Sequence, residues 1–372
     1  AESEFGSTQC ESACESACCG GARANSIIYV YFGRGFLVRI GIVGTGYGAR
    51  ETMRLAAAHP SIELVAVAST SAAGKRLEDV LPAFRKVHDL TIETFDAKAL
   101  AKKCDAVIVG VPSGQSIAIV PALRAEGVRV LDLGGDFRLK DPALFEKYYK
   151  EKHGATELLA DAVYGLPPLY RDKIKPAQLV CVPGCYPISA ILPLNPILDQ
   201  AKASVPIVID SISGISGAGR SPSEGYHFPE MNENLKAYKL AIHQHIPEIE
   251  QETGNCAMVQ FTPHVAPLTR GILTTITFRA DGEVDPASAY ARYAAEPFVR
   301  VLPQGALPEV KHVRGSNFCD IGWAKDTRTG NLIIVSAIDN LMGGTSGMAI
   351  QCINIMFGFD EREGLKFAGI AP

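Results

Sequence analysis

Strand segments dominated by apolar residues alternate with helical segments along the first half of the chain, and this alternation most constrains the fold. Strands of a parallel sheet covered by helices on both faces appear as continuous apolar runs. We therefore predict a Rossmann-type, doubly wound α/β domain with a parallel sheet. The predicted strands are 37–43, 62–68, 105–111 and 128–133, and the helices between them are 49–58 and 115–126.

The second half of the chain has a different pattern. Its strand segments contain more Thr and Ser, and few helices separate them. This pattern predicts an α+β domain with a mostly antiparallel sheet. The predicted strands are 205–213, 257–262, 271–279 and 332–338, and the helices are 287–298 and 346–358. We place the first domain at 37–185 and the second at 186–341, and we expect a C-terminal helix within 342–372 to pack back on the first domain.

Composition excludes several classes of protein. The 372 residues carry a net charge of −4, and no Lys- or Arg-rich run is present, which argues against a nucleic-acid or anionic-membrane surface. No apolar stretch reaches about 18 residues, so we predict no transmembrane helix. Six cysteines are scattered singly, which is typical of reduced thiols in a cytosol-like compartment. These are Cys104, Cys181, Cys185, Cys256, Cys319 and Cys352.

The other four cysteines crowd into the first 19 residues, as Cys10, Cys14, Cys18 and Cys19. They could form a metal or redox motif, but their spacing matches no zinc pattern and no histidine is nearby. We therefore interpret residues 1–36 as a flexible leader or a cloning remnant and predict no metal site.

A glycine-rich loop joins the first predicted strand to the first predicted helix. It reads Gly44, Thr45, Gly46, Tyr47 and Gly48, with an alanine next. In this position the pattern GxGxxA indicates a dinucleotide site, because glycines let backbone N–H groups approach a pyrophosphate at a helix N-terminus. The alternative is a simple tight turn.

The end of the second predicted strand favours NADP over NAD. NAD sites usually place an acidic residue there to hold the ribose 2′-hydroxyl. This chain has Ser69, Thr70 and Ser71, with Lys75 and Arg76 close behind. Hydroxyls and cations accept a 2′-phosphate that a carboxylate would repel. The alternative is a solvated loop whose cations face water.

Cys185 follows a short apolar strand that breaks at Pro183 and Gly184, and a predicted helix follows it. A thiol at a helix N-terminus meets the positive end of the helix dipole, which is expected to lower its pKa. The position suits a nucleophile, although most free cysteines are small buried hydrophobes.

His243 and His245 form a His-x-His pair followed by Pro-Glu-Ile. Such a pair could ligate a metal, but no further ligands occur at recognisable spacing. Acid–base partnership with the cysteine is the better use, because neutral imidazole exchanges protons near pH 7. His227 and His264 are weaker candidates, and any of these histidines could instead be an ordinary surface or hydrogen-bonded residue.

Three glycine-containing segments carry groups that suit phosphate or carboxylate. Arg138 follows a glycine pair, Arg220 follows a second glycine run, and Asn317 lies beside Arg314. The guanidinium fork matches both anions. Each arginine could equally be a surface salt-bridge partner. We take Arg138, Arg220 and Asn317 as substrate-binding candidates.

Several motifs resemble those of the N-acetyl-γ-glutamyl-phosphate reductase family, across about residues 38 to 360. The most specific are the run Pro-Gly-Cys-Tyr-Pro at 183–187 and the run His-x-His-x-Pro-Glu-Ile at 243–249. Others are Asp-Phe-Arg-Leu at 136–139, Val-Tyr-Gly-Leu at 163–166, Ser-Gly-Ala-Gly-Arg at 216–220, Gly-Ser-Asn at 315–317 and Asp-Asn-Leu at 339–341.

The resemblance implies an NADP-dependent enzyme that reduces N-acetylglutamyl 5-phosphate to the 5-semialdehyde in arginine biosynthesis. It implies that Cys185 is the nucleophile and His245 the acid–base. The alternatives are reduction of carrier-bound aminoadipyl phosphate or aspartyl phosphate, or a non-catalytic NADP-binding redox sensor. The remaining cofactor-binding candidates are Pro112, Ser113, Gly217 and Asn340.

We expect the second domain to provide the catalytic residues and an oligomerisation surface. A homodimer or homotetramer is the expected assembly. The expected location is the cytoplasm, or the plastid stroma or mitochondrial matrix of a eukaryote.

Overall fold

The computed structural model describes residues 37–371. The predicted leader, 1–36, and its four cysteines lie outside these described residues. The predicted division of 37–341 at residue 185 remains a prediction.

The first sheet has six strands, all parallel, in the order β2-β1-β3-β4-β6-β5. The doubly wound α/β prediction is confirmed, and β5 is an additional short edge strand. The strands are β1 Val38–Val43, β2 Ile62–Ala68, β3 Ala106–Val109, β4 Arg129–Asp132, β5 Val163–Tyr164 and β6 Leu179–Cys181.

The helices of this half separate successive strands, because neighbouring parallel strands need a crossover connection. The first helix and the fourth match the predicted segments to within two residues. The helices are α1 Tyr47–Ala58, α2 Leu77–Val80, α3 Ala97–Lys103, α4 Ser116–Ala125, α5 Pro142–Tyr149 and α6 Pro167–Ile174.

The second sheet has seven strands in the order β11-β12-β13-β10-β7-β9-β8. Four of its six neighbouring pairs are antiparallel, which confirms the mostly antiparallel prediction. The strands are β7 Ile207–Gly214, β8 Lys236–Ala237, β9 Val259–Ala266, β10 Ile272–Phe278, β11 Val299–Val301, β12 Cys319–Asp326 and β13 Asn331–Ile338.

The predicted helix 287–298 is wrong at its C-terminal end. Asp285 caps the N–H of Ala287 and Pro286 occupies the first turn, so the helix begins well. It changes to a 3₁₀ turn and ends at Glu296, whose extended backbone is imposed by the proline that follows. The later helices are α7 Cys185–Leu198, α8 Phe228–Met231, α9 His245–Glu252, α10 Pro286–Tyr290, α11 Val310–Val313 and α12 Gly347–Phe357.

Helix α7 connects the two sheets. It starts directly after β6 and packs against β10, β13 and α9, so its first residue lies where the sheets meet. A π-helical turn at Met342–Ser346 follows β13, and α12 then packs against α1 and α6. Within residues 37–371 no helix combines the length and the apolar character that crossing a membrane requires.

Candidate active site

A cleft of about 1050 Å³ opens at the carboxyl ends of the parallel strands. Ligands of doubly wound folds bind at this edge. Both catalytic candidates, Cys185 and His245, line the cleft, together with all but one of the predicted cofactor residues. These are Gly44, Thr45, Gly46, Tyr47, Gly48, Ser69, Ser71, Pro112, Ser113, Gly217 and Asn340.

The glycine turn has the geometry that a dinucleotide needs. Gly44 has φ +116°, and a Cβ there would lie 2.2 Å from the carbonyl oxygen of Gly110. Only glycine fits this position. Gly46 precedes α1 without a side-chain cap, so the first N–H groups of α1 remain available to a pyrophosphate. The residues present therefore fit a dinucleotide.

The three hydroxyl-bearing residues of the predicted 2′-phosphate site line the cleft, but the predicted lysine does not. Ser69, Thr70 and Ser71 are lining residues. Lys75 is exposed and lies outside the lining, so the structure does not support its assignment. Arg76 forms ion pairs with Asp89 and Glu78. No Asp or Glu occurs among the described lining residues, which suits an anionic cofactor and substrate.

Cys185 is the first residue of α7 and is half-buried at the wall of the cleft. The π-helical turn crosses directly over it, because a Cβ on Gly344 would lie 2.8 Å from the Cys185 Cβ. Burial raises the pKa of this thiol to about 11, although Arg138 and the backbone N–H groups of Tyr186 and Cys185 act to lower it. The expected lowering of the pKa is therefore wrong, because desolvation outweighs the helix N-terminus.

We expect this raised pKa to control the reactivity of the free enzyme. Inactivation by iodoacetamide should accelerate about tenfold per pH unit between roughly pH 7 and 10, because only the thiolate reacts and its fraction grows up to the pKa. The measurement is the pseudo-first-order loss of activity, with free N-acetylcysteine as the control. A rate that levels off near neutral pH would contradict the raised pKa.

His245, the first residue of α9, lies against Gly184, the residue that precedes the cysteine. Its Nε2 approaches Gly184 so closely that a Cβ there would lie 2.5 Å from it. The side chain is buried, and burial, His243 and Arg138 together hold its pKa well below the usual value, so the ring is neutral. Its Nδ1 has no hydrogen-bond partner within the described chain. A neutral imidazole beside a protonated thiol can take up the proton that the thiol must lose.

Glu248, one turn after His245, anchors Gly184, the residue that precedes Cys185. Its Oε1 accepts hydrogen bonds from the Gly184 N–H and from the Tyr164 hydroxyl, both at 2.8 Å. Its Oε2 lies 3.4 Å from Nη1 of Arg138. Glu248 belongs to the His-x-His-x-Pro-Glu-Ile motif, but its role could not be predicted from the sequence. Its partners, Gly184, Tyr164 and Arg138, come from separate parts of the chain.

The Arg138 side chain is buried and is fixed by two backbone carbonyls and a carboxylate. It donates to the carbonyls of Val182 at 2.8 Å and Leu133 at 2.9 Å, besides pairing with Glu248. It still lines the cleft beside Cys185, as does the exposed Arg220.

Asn317 does not reach the cleft. It is buried, donates to Gln351 at 3.1 Å and borders a separate small cavity. We therefore omit Asn317 from the substrate site. His227 and His264 also lie outside the cleft lining. Across the described residues no cluster of three or more His, Cys, Asp or Glu side chains could hold a metal ion.

Comparison with known proteins identifies two family models. Residues 39–177 match the semialdehyde dehydrogenase NAD binding domain, and residues 185–340 match the semialdehyde dehydrogenase dimerisation domain. Among solved structures, aspartate semialdehyde dehydrogenase II from Vibrio cholerae covers 87% of this chain and 98% of its own, with TM-score 0.68 and 14% identity. The Candida albicans enzyme with NADP has TM-score 0.66 and 17% identity, covering 86% and 98%. These structures share the fold.

Curated relatives are much closer in sequence. The N-acetyl-γ-glutamyl-phosphate reductase of Pelotomaculum thermopropionicum is 46% identical over 345 residues, which cover 90% of this chain and 99% of that protein. The reductase of Symbiobacterium thermophilum is also 46% identical, covering 89% and 98%. The resemblance predicted from the motifs is confirmed, and the chain belongs to the N-acetyl-γ-glutamyl-phosphate reductase family.

Proposed function

We propose that this chain catalyses the NADPH-dependent reductive dephosphorylation of N-acetylglutamyl 5-phosphate to N-acetylglutamate 5-semialdehyde. The names of its curated relatives support this reaction. The observation that carries the mechanism is the close approach of His245 to Gly184, the residue before Cys185, with all three residues at the wall of the cofactor cleft.

The first chemical step is attack of Cys185 Sγ on the acyl carbon. The carbon–oxygen bond to phosphate breaks, and an enzyme-bound thioester forms. His245 Nε2 takes the thiol proton and passes it to the departing phosphate. This transfer is needed because the thiol is protonated at neutral pH.

NADPH, when bound in the cleft, supplies a hydride to the thioester carbon. The glycine turn and the first N–H groups of α1 would hold its pyrophosphate, and Ser69, Thr70 and Ser71 would hold its 2′-phosphate. When the carbon–sulfur bond then breaks, the semialdehyde leaves and Cys185 is released as thiolate. His245 returns a proton, drawn from solvent, to that sulfur.

Two arginines complete the site. Arg220 is exposed in the cleft and is our candidate for the substrate phosphate. Arg138 is fixed by its partners and favours negative charge near Cys185. Backbone N–H groups at the start of α7 would stabilise the oxygen anion that develops on the acyl carbon.

A reverse-direction assay tests this function. The purified protein should reduce NADP when supplied with N-acetylglutamate semialdehyde and inorganic phosphate, observed as absorbance at the NADPH band. The rate should require phosphate, because phosphate is the nucleophile that releases the acyl group from Cys185. Absence of phosphate-dependent NADPH formation would refute the proposed reaction and favour a non-catalytic role.

We further propose a homo-oligomeric assembly and a cytoplasmic location. The match of residues 185–340 to a dimerisation domain supports the first. The scattered free cysteines support a reducing compartment.

A further inference from the structure

Two buried carboxyl groups lie behind one wall of the cofactor cleft, and the proposed mechanism uses neither. Asp132 is the last residue of β4, and Asp136 follows it after the glycine pair. Both side chains are fully buried, as is that of Ser116 at the start of α4. Gly134 lines the cleft directly in front of them, because a Cβ on Gly134 would lie 3.0 Å from Asp132 Oδ1 and 3.2 Å from Ser116 Oγ.

The hydrogen bonds around Ser116 require one of the two carboxyl groups to carry a proton. The Ser116 hydroxyl oxygen lies 3.0 Å from Asp132 Oδ2 and 2.6 Å from Asp136 Oδ2. A hydroxyl has one proton to donate, so it is the donor in only one of these contacts. With both carboxyl groups ionised, the other contact would set oxygen lone pairs against each other away from water, which is costly. A protonated carboxyl group removes this repulsion, because it donates to the serine oxygen.

Asp132 is the group that holds this proton. Both oxygens of Asp136 accept from the Gly114 N–H at 2.8 Å, and its 2.6 Å bond to Ser116 has the length of a hydroxyl donating to an ionised carboxylate. The Gly134 N–H donates to Oδ1 of Asp132 at 3.0 Å, which leaves Oδ2 to carry the proton. Burial and the charge of Asp136 raise the pKa of Asp132 to about 7.

Other titratable groups interact electrostatically with Asp132 but keep one protonation state near neutral pH. Arg138 is a permanent cation and acts to lower the pKa of Asp132. Burial raises the pKa of Cys181, in β6, to about 12, so its thiol stays protonated. Burial also raises the pKa of Tyr149, in α5, above its usual value, so its hydroxyl stays neutral.

The segment after α5 also faces the carboxyl pair. The buried His153 ring accepts the Ala155 N–H at Nδ1 and contacts the Asp136 carbonyl oxygen through Nε2 at 2.8 Å, which is the pattern of a neutral ring. Glu151 lies against Gly114 but is exposed, so water screens its charge. A change of charge between the two carboxyl groups near pH 7 is therefore the ionisation of the acid at the end of β4.

The carboxyl pair joins two segments of the cleft wall. Asp136 fixes the segment 112–115 through the Gly114 N–H, and Asp132 fixes the segment 133–135 through a second backbone N–H. The cleft-lining residues of these segments are Pro112, Ser113, Gln115, Leu133, Gly134 and Gly135. The positions of both segments therefore depend on the protonation state of the pair.

We propose that Asp132 is a neutral carboxylic acid that positions these two segments for NADPH, through the hydrogen-bonded chain Asp132–Ser116–Asp136. Ionisation of Asp132 would break its hydrogen bond to Ser116 and set a second buried negative charge beside an anionic cofactor. NADPH should therefore bind more weakly as the pH rises through about 7. The inference rests on the cofactor of the proposed function and not on its substrate.

Asp132→Asn tests this role, because it keeps the hydrogen bonds of the acid and cannot ionise. Its amide N–H donates to Ser116, and its carbonyl oxygen accepts the Gly134 N–H. Nicotinamide fluorescence gives the NADPH dissociation constants at about pH 6 and pH 9. The wild-type constant divided by that of the variant should rise about fivefold between these pH values, the scale of one added charge near an anion. The division cancels the titration of the 2′-phosphate of the cofactor. A ratio constant to within about twofold would overturn the positioning role.

Thermal unfolding provides a readout that is independent of the cofactor. The raised pKa means that the folded protein holds the Asp132 proton more tightly than the unfolded chain does. The resulting stabilisation is complete below about pH 4 and is lost as the pH rises to about 7. The melting temperature of Asp132→Asn should therefore rise by about 3 °C relative to that of the wild type between about pH 5 and pH 8. Asp172→Asn, at an exposed carboxylate in α6, is the matched control and should show no such rise. The same difference at both pH values would contradict a proton stored on Asp132.

Asp136→Asn is the contrasting variant. Both Asp136 oxygens lie 2.8 Å from the Gly114 nitrogen, so either orientation of the amide sets its NH2 group against another N–H donor. We expect a lower melting temperature at both pH values and NADPH affinity about tenfold weaker. Equal effects of the two Asp→Asn changes would refute the assignment of the proton to Asp132. Loss of phosphate-dependent turnover by the wild type would instead refute the proposed reaction, and it would leave these binding and unfolding measurements unaffected.

Discussion

Cys185→Ser should lower kcat of the phosphate-dependent reverse reaction by at least about ten-thousandfold. A serine hydroxyl is a far weaker nucleophile than a thiol, and its ester would not return the acyl group to phosphate at a useful rate. The burial that raises the pKa of Cys185 to about 11 would make ionisation of a hydroxyl still harder.

The cofactor site should be unaffected by this change. NADPH binding, followed by the fluorescence of the nicotinamide, should match that of the wild type because the glycine turn and α1 do not depend on the sulfur. Cys256→Ser, at an exposed cysteine, is the control and should retain full activity. Retention by Cys185→Ser of more than about a hundredth of the wild-type rate would remove Cys185 from the nucleophile role.

The sequence predicted the two sheets because their strands have distinct patterns. The run Ile-Glu-Leu-Val-Ala-Val-Ala became β2 with the predicted bounds, since it is bounded by turn residues on both sides. The predicted helix 287–298 is longer than the observed one because Pro297 imposes an extended backbone on Glu296, although the residues before it favour a helix. Strand β12 was not predicted, although its pairing with β13 extends over eight residues.

The candidate site could be predicted only where its residues are close together in the sequence. The glycine turn and Cys185 lie at strand–helix junctions that a sequence displays directly. The environment of the thiol could not be predicted, because the π-helical turn that buries it comes from residues 342–346. Asn317 lies in a motif that resembles a substrate-binding run, yet its side chain is turned into the interior toward Gln351. Burial of this kind depends on tertiary packing.

Gly184→Ala should reduce kcat by about a hundredfold while leaving NADPH binding unchanged. The added Cβ would lie 2.5 Å from Nε2 of His245 and 2.9 Å from Nη1 of Arg138, both closer than a Cβ can approach. Neither the Gly184 backbone nor the His245 ring can move away easily. The Gly184 N–H is held by Glu248 at 2.8 Å, and the His245 ring packs against His243 with ring centroids 4.7 Å apart.

The acid–base group must therefore move relative to the nucleophile, and a displacement of about 1 Å from productive geometry is enough for a loss of this size. Steady-state kinetics in the reverse direction would measure the loss, with thermal unfolding of both proteins to verify folding. Gly154→Ala is the matched control, because its Cβ would lie 3.3 Å from Ile117 Cγ2, a contact that a small shift relieves. If Gly184→Ala kept more than about a third of the wild-type kcat, close apposition of His245 and Cys185 would not be required for turnover.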